Sequence, residues 1–355
     1  MSQHQSGLRG TLQRLVGARY SWAVLAILVL LVVNLVRDPS YLAISVNPVT
    51  GNLAGNVLDI LRAAAPILMI AVGMCLIIST SGIDLSVGSV MAVSGAVSME
   101  LLRNLDYDSA LPAALVAVGL ALLVSTAIGV ANGILVSVVG LQPFITTLIM
   151  MLAGRGIAKV ITSGQNTTAH NDAFRWIANG HILGFPVVVL LALGVVVIVG
   201  VLVRRTALGL MIESIGINAE ASRLVGIKPR GLLITVYSVS GLLAGVAGLF
   251  SVSLVMTVDV SQTGYQMELD AILAVVIGGT ALAGGKFSLA GAVAGAFLIA
   301  TLDKTVVFLG VPSSATPAFK AVVIIAVCLV QSDRVRGYVS SRRRARATAL
   351  QEGIA

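Results

Sequence analysis

Residues that could carry out phosphate chemistry are present in this chain, but not at the required spacing. A phosphate-binding loop has the pattern Gly-x-x-x-x-Gly-Lys-Ser/Thr, in which backbone amides and the lysine surround phosphate oxygens. The nearest approach, at Gly285 and Lys286, has Thr280 at the first glycine position and Phe287 at the hydroxyl position. The sequence therefore argues against ATP binding by such a loop.

The sequence does not place together the side chains that a nucleophilic site or a metal site would need. Ser94 lies within an apolar stretch, where it would need a histidine base to act as a nucleophile. The three histidines all lie outside the apolar stretches: His4, His170 and His181. Cys75 and Cys328 lie inside apolar runs, as is typical of small buried side chains. We expect no catalytic residue, no metal site and no cofactor bound by this chain.

Charged and polar residues in or beside apolar stretches are the remaining functional candidates, because an unpaired charge at the centre of a membrane helix costs about 2.5–3.5 kcal/mol on insertion scales. Arg155 either lines a polar path or pairs with a carboxylate to lock helices together. Asp84 either caps the following helix or belongs to a pore, and Asn132 either bonds another helix or contacts substrate. Lys320 is expected to snorkel towards the membrane surface.

The composition predicts the elements that carry these residues. Of the 355 residues, 57% are hydrophobic and 11% charged, and the mean hydropathy is +1.00. Aromatic residues make up only 5%, whereas there are 37 glycines, which favours closely packed helices over a membrane barrel with aromatic girdles. The predicted fold class is all-α, a polytopic membrane helical bundle.

About ten transmembrane helices are predicted from apolar stretches near the roughly 20 residues that a bilayer requires. The predicted spans are 22–36, 62–80, 86–102, 111–137, 143–161, 186–203, 231–256, 269–283, 289–303 and 318–331. Glycine-rich breaks around Ser81 and Gly284 allow re-entrant or half-helix segments there.

Basic residues cluster at 9–19, 204–230 and 334–346, each beside an apolar stretch. This pattern indicates anchoring on the cytoplasmic side rather than nucleic-acid binding. It places both termini in the cytoplasm and the acidic residues Asp106 and Asp108 on the outer side. The predicted organisation is a basic segment at 1–21, a membrane domain at 22–331 with a cytoplasmic loop at 204–230, and a basic tail at 332–355.

The loop at 204–230 contains two candidate helices. Four apolar residues recur at helical spacing: Leu208, Met211, Ile212 and Ile215. Asn218 is a suitable N-cap for a second short helix, Glu220 suits its first turn and Gly226 its end. Because so short a helix is marginal alone in water, we predict a docking element, or alternatively a helix lying on the lipid surface.

Two breaks resemble each other in composition, at 81–88 and 284–291. Upstream, Leu-Asp-Ile-Leu at 58–61 is similar to Leu-Asp-Ala-Ile-Leu at 269–273. An internal duplication would produce pseudo-symmetric halves around a central path.

Several motifs together resemble the permease subunits of bacterial sugar ABC importers, the branched family that includes ribose, galactoside and galactofuranose permeases. They lie at residues 82–88, 132–133, 142–148, 155–156, 216–218, 226–227, 268–272, 278–279 and 284–285. Leu-Asp-Ile-Leu-Arg-Ala-Ala-Ala-Pro at 58–66 looks particularly like a galactofuranose importer permease. The resemblance covers most of the chain.

This resemblance implies a multi-pass subunit of the bacterial inner membrane that translocates a monosaccharide. Its partners would be a second permease, identical or paralogous, two ABC ATPase subunits that use ATP, and a periplasmic sugar-binding protein. The residues implied in coupling to the ATPase are Glu213, Gly216, Asn218, Glu220, Ala221, Arg223 and Gly226. The candidates for the translocation pathway are Asp84, Asn132, Phe144, Arg155, Glu268 and Asp270.

Two other functions remain open. A secondary transporter would use ionisable groups near the membrane midplane, and Asp84, Asp270 and Asp303 all fall towards the ends of predicted spans, which argues against it. A non-transporting scaffold subunit would need only the bundle and the docking element.

Overall fold

The computed structural model describes residues 20–46, 48, 51–104 and 109–331. Residues 1–19 and 332–355, which contain the two terminal basic clusters, lie outside the described residues, and so do Asp106 and Asp108. Of the predicted segment 1–21, the structure describes the last two residues. The helices are α1 (Ser21–Arg37), α2 (Asn56–Ser79), α3 (Val87–Asn104), α4 (Ala110–Ile134), α5 (Pro143–Ile161), α6 (Asp172–Asn179), α7 (Val187–Arg205), α8 (Leu208–Ile217), α9 (Ala219–Leu224), α10 (Pro229–Val255), α11 (Met267–Ile277), α12 (Leu289–Phe308) and α13 (Thr316–Gln331).

Local sequence explains where several helices begin and end. Pro143 and Pro229 open α5 and α10, at positions where the missing amide hydrogen costs no helical hydrogen bond. Ser288 caps α12 by accepting a hydrogen bond from the amide of Gly291. The helix α4 continues into a π-helical turn at Leu135–Val139, and Gly140 ends it in the left-handed conformation at φ 83°.

Three two-stranded antiparallel ribbons lie between the helices. They pair β1 (Ser45–Val46) with β2 (Leu53–Ala54), β3 (Thr167–Thr168) with β6 (Thr257–Val258), and β4 (His181–Ile182) with β5 (Phe185–Pro186). We call the end of the bundle that carries them the ribbon end. The opposite end, formed by residues 206–228 with α8 and α9, is called the α9 end.

All ten apolar stretches predicted as spans contain a helix, but six helices in the described part of the chain are both long and apolar enough to cross a membrane: α2, α4 with its π-helical turn, α5, α7, α10 and α12. The eighth predicted span, 269–283, is represented by α11, which has 11 residues and ends at Ile277. At 1.5 Å per residue it is about 16 Å long, roughly half of a hydrocarbon core. Gly278 and Gly279 follow it, so this prediction of a complete helical span was wrong.

The helices α2 and α10 form the centre of the bundle. In the most apolar window of α2, 78% of residues are buried, against 22% in α5. Small residues allow this close packing: a Cβ on Gly248 of α10 would overlap the carbonyl oxygen of Met91, and one on Gly295 of α12 would overlap that of Ala274. Close backbone approach is the usual way in which membrane helices gain contact.

Two non-helical segments enter the bundle. Residues 80–86 join α2 to α3, and residues 259–266 join β6 to α11. Left-handed residues turn the chain in each, with φ 63° at Ser81 and φ 59° at Gln266. Non-helical backbone within a membrane domain is tolerated where protein surrounds it, so these segments are the natural places to look for function.

Candidate translocation and docking sites

The predicted docking element folds as two short helices at the α9 end. Asn218 caps α9, since its Oδ1 accepts a hydrogen bond from the amide of Ala221 at 2.9 Å. Gly226 follows at φ 90°, and its amide donates to the carbonyl of Arg223 at 3.1 Å. The capped helix and its glycine stop are thus confirmed.

This element presents side chains to the exterior. Leu224 and Val225 are 87% and 78% exposed. A groove of about 870 Å³ lies beside them, lined by Glu220, Arg223 and Ile227 among others. Adjacent exposed apolar residues edged by charge are typical of an interaction surface. Of the other residues predicted to contact an ATPase, Ala221 is exposed and Glu213 partly buried.

The docking element is joined directly to both glycine-rich breaks. Ser81 Oγ donates to the carbonyl oxygens of Gly216 and Ala283, each at 2.9 Å. The amide of Gly285 donates to the carbonyl of Ser79 at 2.9 Å. Gly216 packs so closely that a Cβ there would overlap the Ser79 carbonyl oxygen. Gly216 of α8 therefore lies against both the end of α2 and the segment before α12.

Asp84 lies at the centre of a buried polar cluster in the first break. Only 2% of it is exposed, and its Oδ1 accepts from the Ser86 amide at 2.9 Å and from Ser86 Oγ at 2.6 Å. Asn132 Nδ2 donates to Ser86 Oγ at 2.9 Å, and Ser240 Oγ lies 3.4 Å from Asp84 Oδ2. The capping contact of Asp84 and the interhelical bond of Asn132 are both present.

The position of Asp84 corrects one step of the sequence argument. Ser240 lies near the middle of the 27-residue α10, so the carboxylate that it contacts is deep in the bundle rather than towards a span end. Depth could not be judged from sequence, because residues 80–86 fold back beside α10 after α2 has ended at Ser79. The absence of a midplane carboxylate therefore no longer counts against a secondary transporter.

The second non-helical segment, residues 259–266, brings the first turns of α3 and α11 together. A Cβ on Gly88 would overlap the carbonyl oxygen of Gly264 and Oε2 of Glu268. Arg155 holds the segment from α5: its Nη1 donates to the carbonyls of Thr263 at 2.6 Å and Val260 at 3.3 Å. Arg155 thus ties α5 to the segment before α11 through backbone oxygens, and among the described residues it does not form the ion pair with a carboxylate that was one of the two predictions.

Glu268 has a free acceptor at this junction. Its Oε2 is buried and has no hydrogen-bond partner among the described residues. Phe144, near the start of α5, is 46% exposed and therefore does not belong to this buried junction. The predicted pathway residues are therefore not one cluster: Asp84 and Asn132 meet at residues 80–86, whereas Arg155 and Glu268 lie beside residues 259–266.

Lys320 was wrongly predicted to snorkel. Its Nζ lies 3.0 Å from Asp270 Oδ2 and 2.8 Å from Asp303 Oδ1, with only 17% of its side chain exposed. The reason is tertiary, since α11 and α12 carry the two carboxylates to α13. Asp303 had no sequence signal for this contact. Ser240 and Ser86 were likewise missed, because serine is frequent in this chain and neither position stands out by its spacing.

No group of three or more metal-ligating side chains comes together within the described ranges.

Comparison with known proteins identifies the family. The profile described as branched-chain amino acid transport system / permease component matches residues 56–330. The fructose import permease protein FruF of Bifidobacterium longum is 51% identical over 96% of this chain and 95% of its own length.

Two further relatives come from Escherichia coli K12. The galactofuranose transporter permease protein YtfT is 38% identical over 89% of this chain and 92% of its own length. The ribose import permease protein RbsC is 38% identical over 91% and 99%. The galactofuranose permease is thus a relative, as the stretch at 58–66 indicated, but the fructose permease shares more identities with this chain. No solved structure matches the chain significantly.

These matches cover the membrane helices, both breaks and the docking element. The subunit is a non-catalytic, multi-pass protein of the inner membrane. The chain belongs to the branched-chain amino acid transport system / permease component family, and within it to the permeases of sugar ABC importers.

Proposed function

We propose that this chain is the membrane-spanning subunit of an ABC importer that carries a monosaccharide into the cell, and that fructose is the first sugar to test. The observation that carries the proposal is the 51% identity to a fructose import permease over nearly the whole length of both chains. The 38% identities to galactofuranose and ribose permeases support the broader class of monosaccharides.

The proposed topology has ten crossings and both termini in the cytoplasm. The helix α11 is too short to cross alone, but residues 259–266 enter the bundle from the ribbon end before it begins. The extended segment and the half-helix together make one crossing, as in other transporters with broken helices. Arg204, Arg205 and Arg223 at the α9 end support a cytoplasmic location for that end.

The proposed partners follow from this orientation. Two ATPase subunits would supply energy, one seated on α8 and α9, where Leu224 and Val225 are exposed. A periplasmic binding protein would deliver sugar at the ribbon end. A second permease, identical or paralogous, would complete the pathway. ATP would be used by the partners and no cofactor would be bound by this chain.

The proposal is tested by deleting the gene in its source organism and measuring uptake of radiolabelled fructose, ribose and galactofuranose. We expect uptake of one sugar to fall to background and to return when the intact gene is supplied. A variant with Gly88→Val, supplied in the same way and expressed in the membrane, should not restore it. Unchanged uptake of all three sugars in the deletion strain would refute monosaccharide import of this class.

A further inference from the structure

A cleft separates α11 and the turn before it from α13. It has a volume of about 810 Å³ and opens to the exterior of the chain. One wall carries Gln262, Tyr265, Gln266 and Asp270, and the other carries Lys320 near the start of α13. Tyr265 is 59% exposed, so its ring is available for contact.

Two residues that line this cleft, Asp270 and Lys320, belong to a charged cluster. Lys320 lies between Asp270 and Asp303, which join α11, α12 and α13 through one ammonium group. The side chains of Asp270 and Lys320 are only 13% and 17% exposed. Because two carboxylates pair with one ammonium group, their oxygens can accept further hydrogen bonds.

The charged groups of this surface make it unsuited to contact with lipid. Asp303 precedes the end of α12 by five residues, about 8 Å along a helix axis, and Asp270 lies in the first turn of a half-helix inside the bundle. Ionisable groups at such depth face a protein interior or a water-filled cavity, because hydrocarbon does not solvate them. The opposite face of α13, beside α1, carries only apolar groups such as Val322 and Ala326 and suits lipid.

The polar groups of the cleft match the chemistry of a sugar. Carboxylate and amide side chains of Asp270, Gln262 and Gln266 accept or donate hydrogen bonds to hydroxyl groups. The ring of Tyr265 offers a flat apolar face to the C–H side of a pyranose or furanose ring. Apolar walls with a few polar groups are usual for small-molecule sites.

We propose that the cleft between α11 and α13 is a water-filled, monosaccharide-binding part of the translocation pathway, with Tyr265 and Asp270 as its sugar contacts. This inference rests on the proposed import of a sugar and adds to it the face of the bundle along which the sugar passes. It also assigns the charged cluster a role: Lys320 holds the carboxylate of Asp270 at the cleft surface.

Two neighbouring residues of α13 provide a matched test. Ala321 lines the cleft, whereas Val322 faces the apolar groove beside α1, and both are exposed at nearly the same depth. The variants A321C and V322C are made in the full chain with Cys328→Ser, leaving the buried Cys75 in place. Intact cells expressing the complete importer are treated with a membrane-impermeant maleimide, which reacts with thiolate in water.

We expect the A321C variant to be labelled at least about tenfold faster than the V322C variant, because a thiolate forms only in water. Millimolar fructose, ribose or galactofuranose should slow labelling of A321C, and the additional change Tyr265→Ala should abolish that protection. Equal labelling of the two variants would overturn the water-filled cleft. Faster labelling of A321C that no sugar slows would overturn the sugar site.

Uptake measured in the same cells separates this inference from the proposed function. Normal sugar uptake with either contrary labelling result refutes the cleft alone and leaves import standing. Failure of the unmodified importer to take up any of the three sugars refutes the proposed function, and the inference falls with it.

Discussion

Asp84 shows how much one carboxylate can organise in a membrane bundle. Its Oδ1 accepts hydrogen bonds from Ser86, immediately before α3, and its Oδ2 lies near Ser240 of α10. Asn132 of α4 donates a hydrogen bond to the hydroxyl of Ser86. Burial of an unsatisfied carboxylate is costly, so each donor stabilises the break by removing part of that cost. Three helices are thus held around residues 80–86.

His181 provides a pH-dependent contact at the ribbon end. Its Nε2 lies 2.6 Å from Arg62 Nη2, so the neutral ring with Nε2 as acceptor suits this contact. Burial, and then the positive charge of Arg62, lower the pKa of His181 below its usual 6.5. The unfolded chain therefore binds this proton more tightly than the folded chain, and the contact stabilises the fold fully only above the ordinary pKa.

We predict that acidification below about pH 6.5 weakens the β4–β5 ribbon. Hydrogen exchange of amides at 181–186 should accelerate as the pH falls to 5, after correction for the intrinsic rate, and His181→Gln should remove this extra dependence. The His181→Gln variant serves as the control, because the neighbouring β1–β2 ribbon is bonded to this one through the amide of Leu53 and the carbonyl of Gly184. Acceleration that persists unchanged in His181→Gln would contradict the prediction.

At the scale of elements, the junction of α3 and α11 depends on the absence of side chains. Gly88 and Gly264 approach so closely that a Cβ on either would overlap backbone of the other. Two helix starts therefore meet at one point, with Glu268 beside them. This arrangement needs glycine for space at Gly88 and for its left-handed backbone, φ 69°, at Gly264.

We predict that Gly88→Val forces α3 and α11 apart and abolishes sugar uptake, with a lower melting temperature in detergent. The matched control is Gly119→Val in α4, where no atom lies within 4 Å of an added Cβ. That variant should retain uptake and stability close to wild type. Comparable damage from both substitutions would indicate a general intolerance of the helices to valine rather than a special junction.

The docking element is hydrogen-bonded to the break at Ser81 and packs against the break at Gly285, which suits a coupling role. We predict that Glu220→Arg, on the exposed first turn of α9, reduces sugar-stimulated ATP hydrolysis by the purified importer several-fold while the subunit still inserts. Replacing Gly226 by a bulky residue should act in the same way, because its φ of 90° strains any other side chain.

A charge reversal at the other end of the molecule controls for a general effect of charge. The side chain of Asp38, at the ribbon end, accepts hydrogen bonds from Ser40 two residues away and from no other described residue, so Asp38→Arg should leave ATP hydrolysis coupled to uptake. Normal sugar-stimulated hydrolysis in the Glu220→Arg importer would remove the coupling role of α9. Gly216 is less useful for this test, because a side chain there would overlap the backbone of Ser79 and disturb the fold itself.

At the scale of the whole molecule, the two ends differ in what they present. The ribbon end carries His170, Asp172 and Arg175 around a pocket of about 490 Å³. The α9 end carries exposed apolar side chains on a short capped helix. These surfaces suit different partners, and at the α9 end the docking element is bonded to the break at Ser81.

The proposed orientation predicts which end is accessible from outside an intact cell. Leu183 in the ribbon end and Leu224 in α9 are 100% and 87% exposed, so cysteine at either position costs little packing. An impermeant maleimide should label L183C in intact cells and L224C only after permeabilisation, in a Cys328→Ser background. The reverse result would invert the topology and place the docking element away from any cytoplasmic ATPase.

The sequence alone determined the class of the protein, because membrane insertion depends on apolar length and charge, which are local properties. The helices at 22–36, 143–161 and 289–303, the cap at Asn218 and the stop at Gly226 were predicted for this reason. The motifs at the breaks indicated the family, which the comparisons confirm.

Only the tertiary structure decided where polar groups lie in depth and what they contact. Distance along the sequence from a predicted span end gave the wrong depth for Asp84, since residues 80–86 fold back into the bundle. The apolar pattern overestimated the length of α11, which ends at Ile277. Lys320 meets Asp270 and Asp303 because three helices converge, and no local pattern encodes that convergence. The physical reason is that hydropathy measures the preference of a segment for the membrane, whereas the position of a side chain depends on packing between segments distant in sequence.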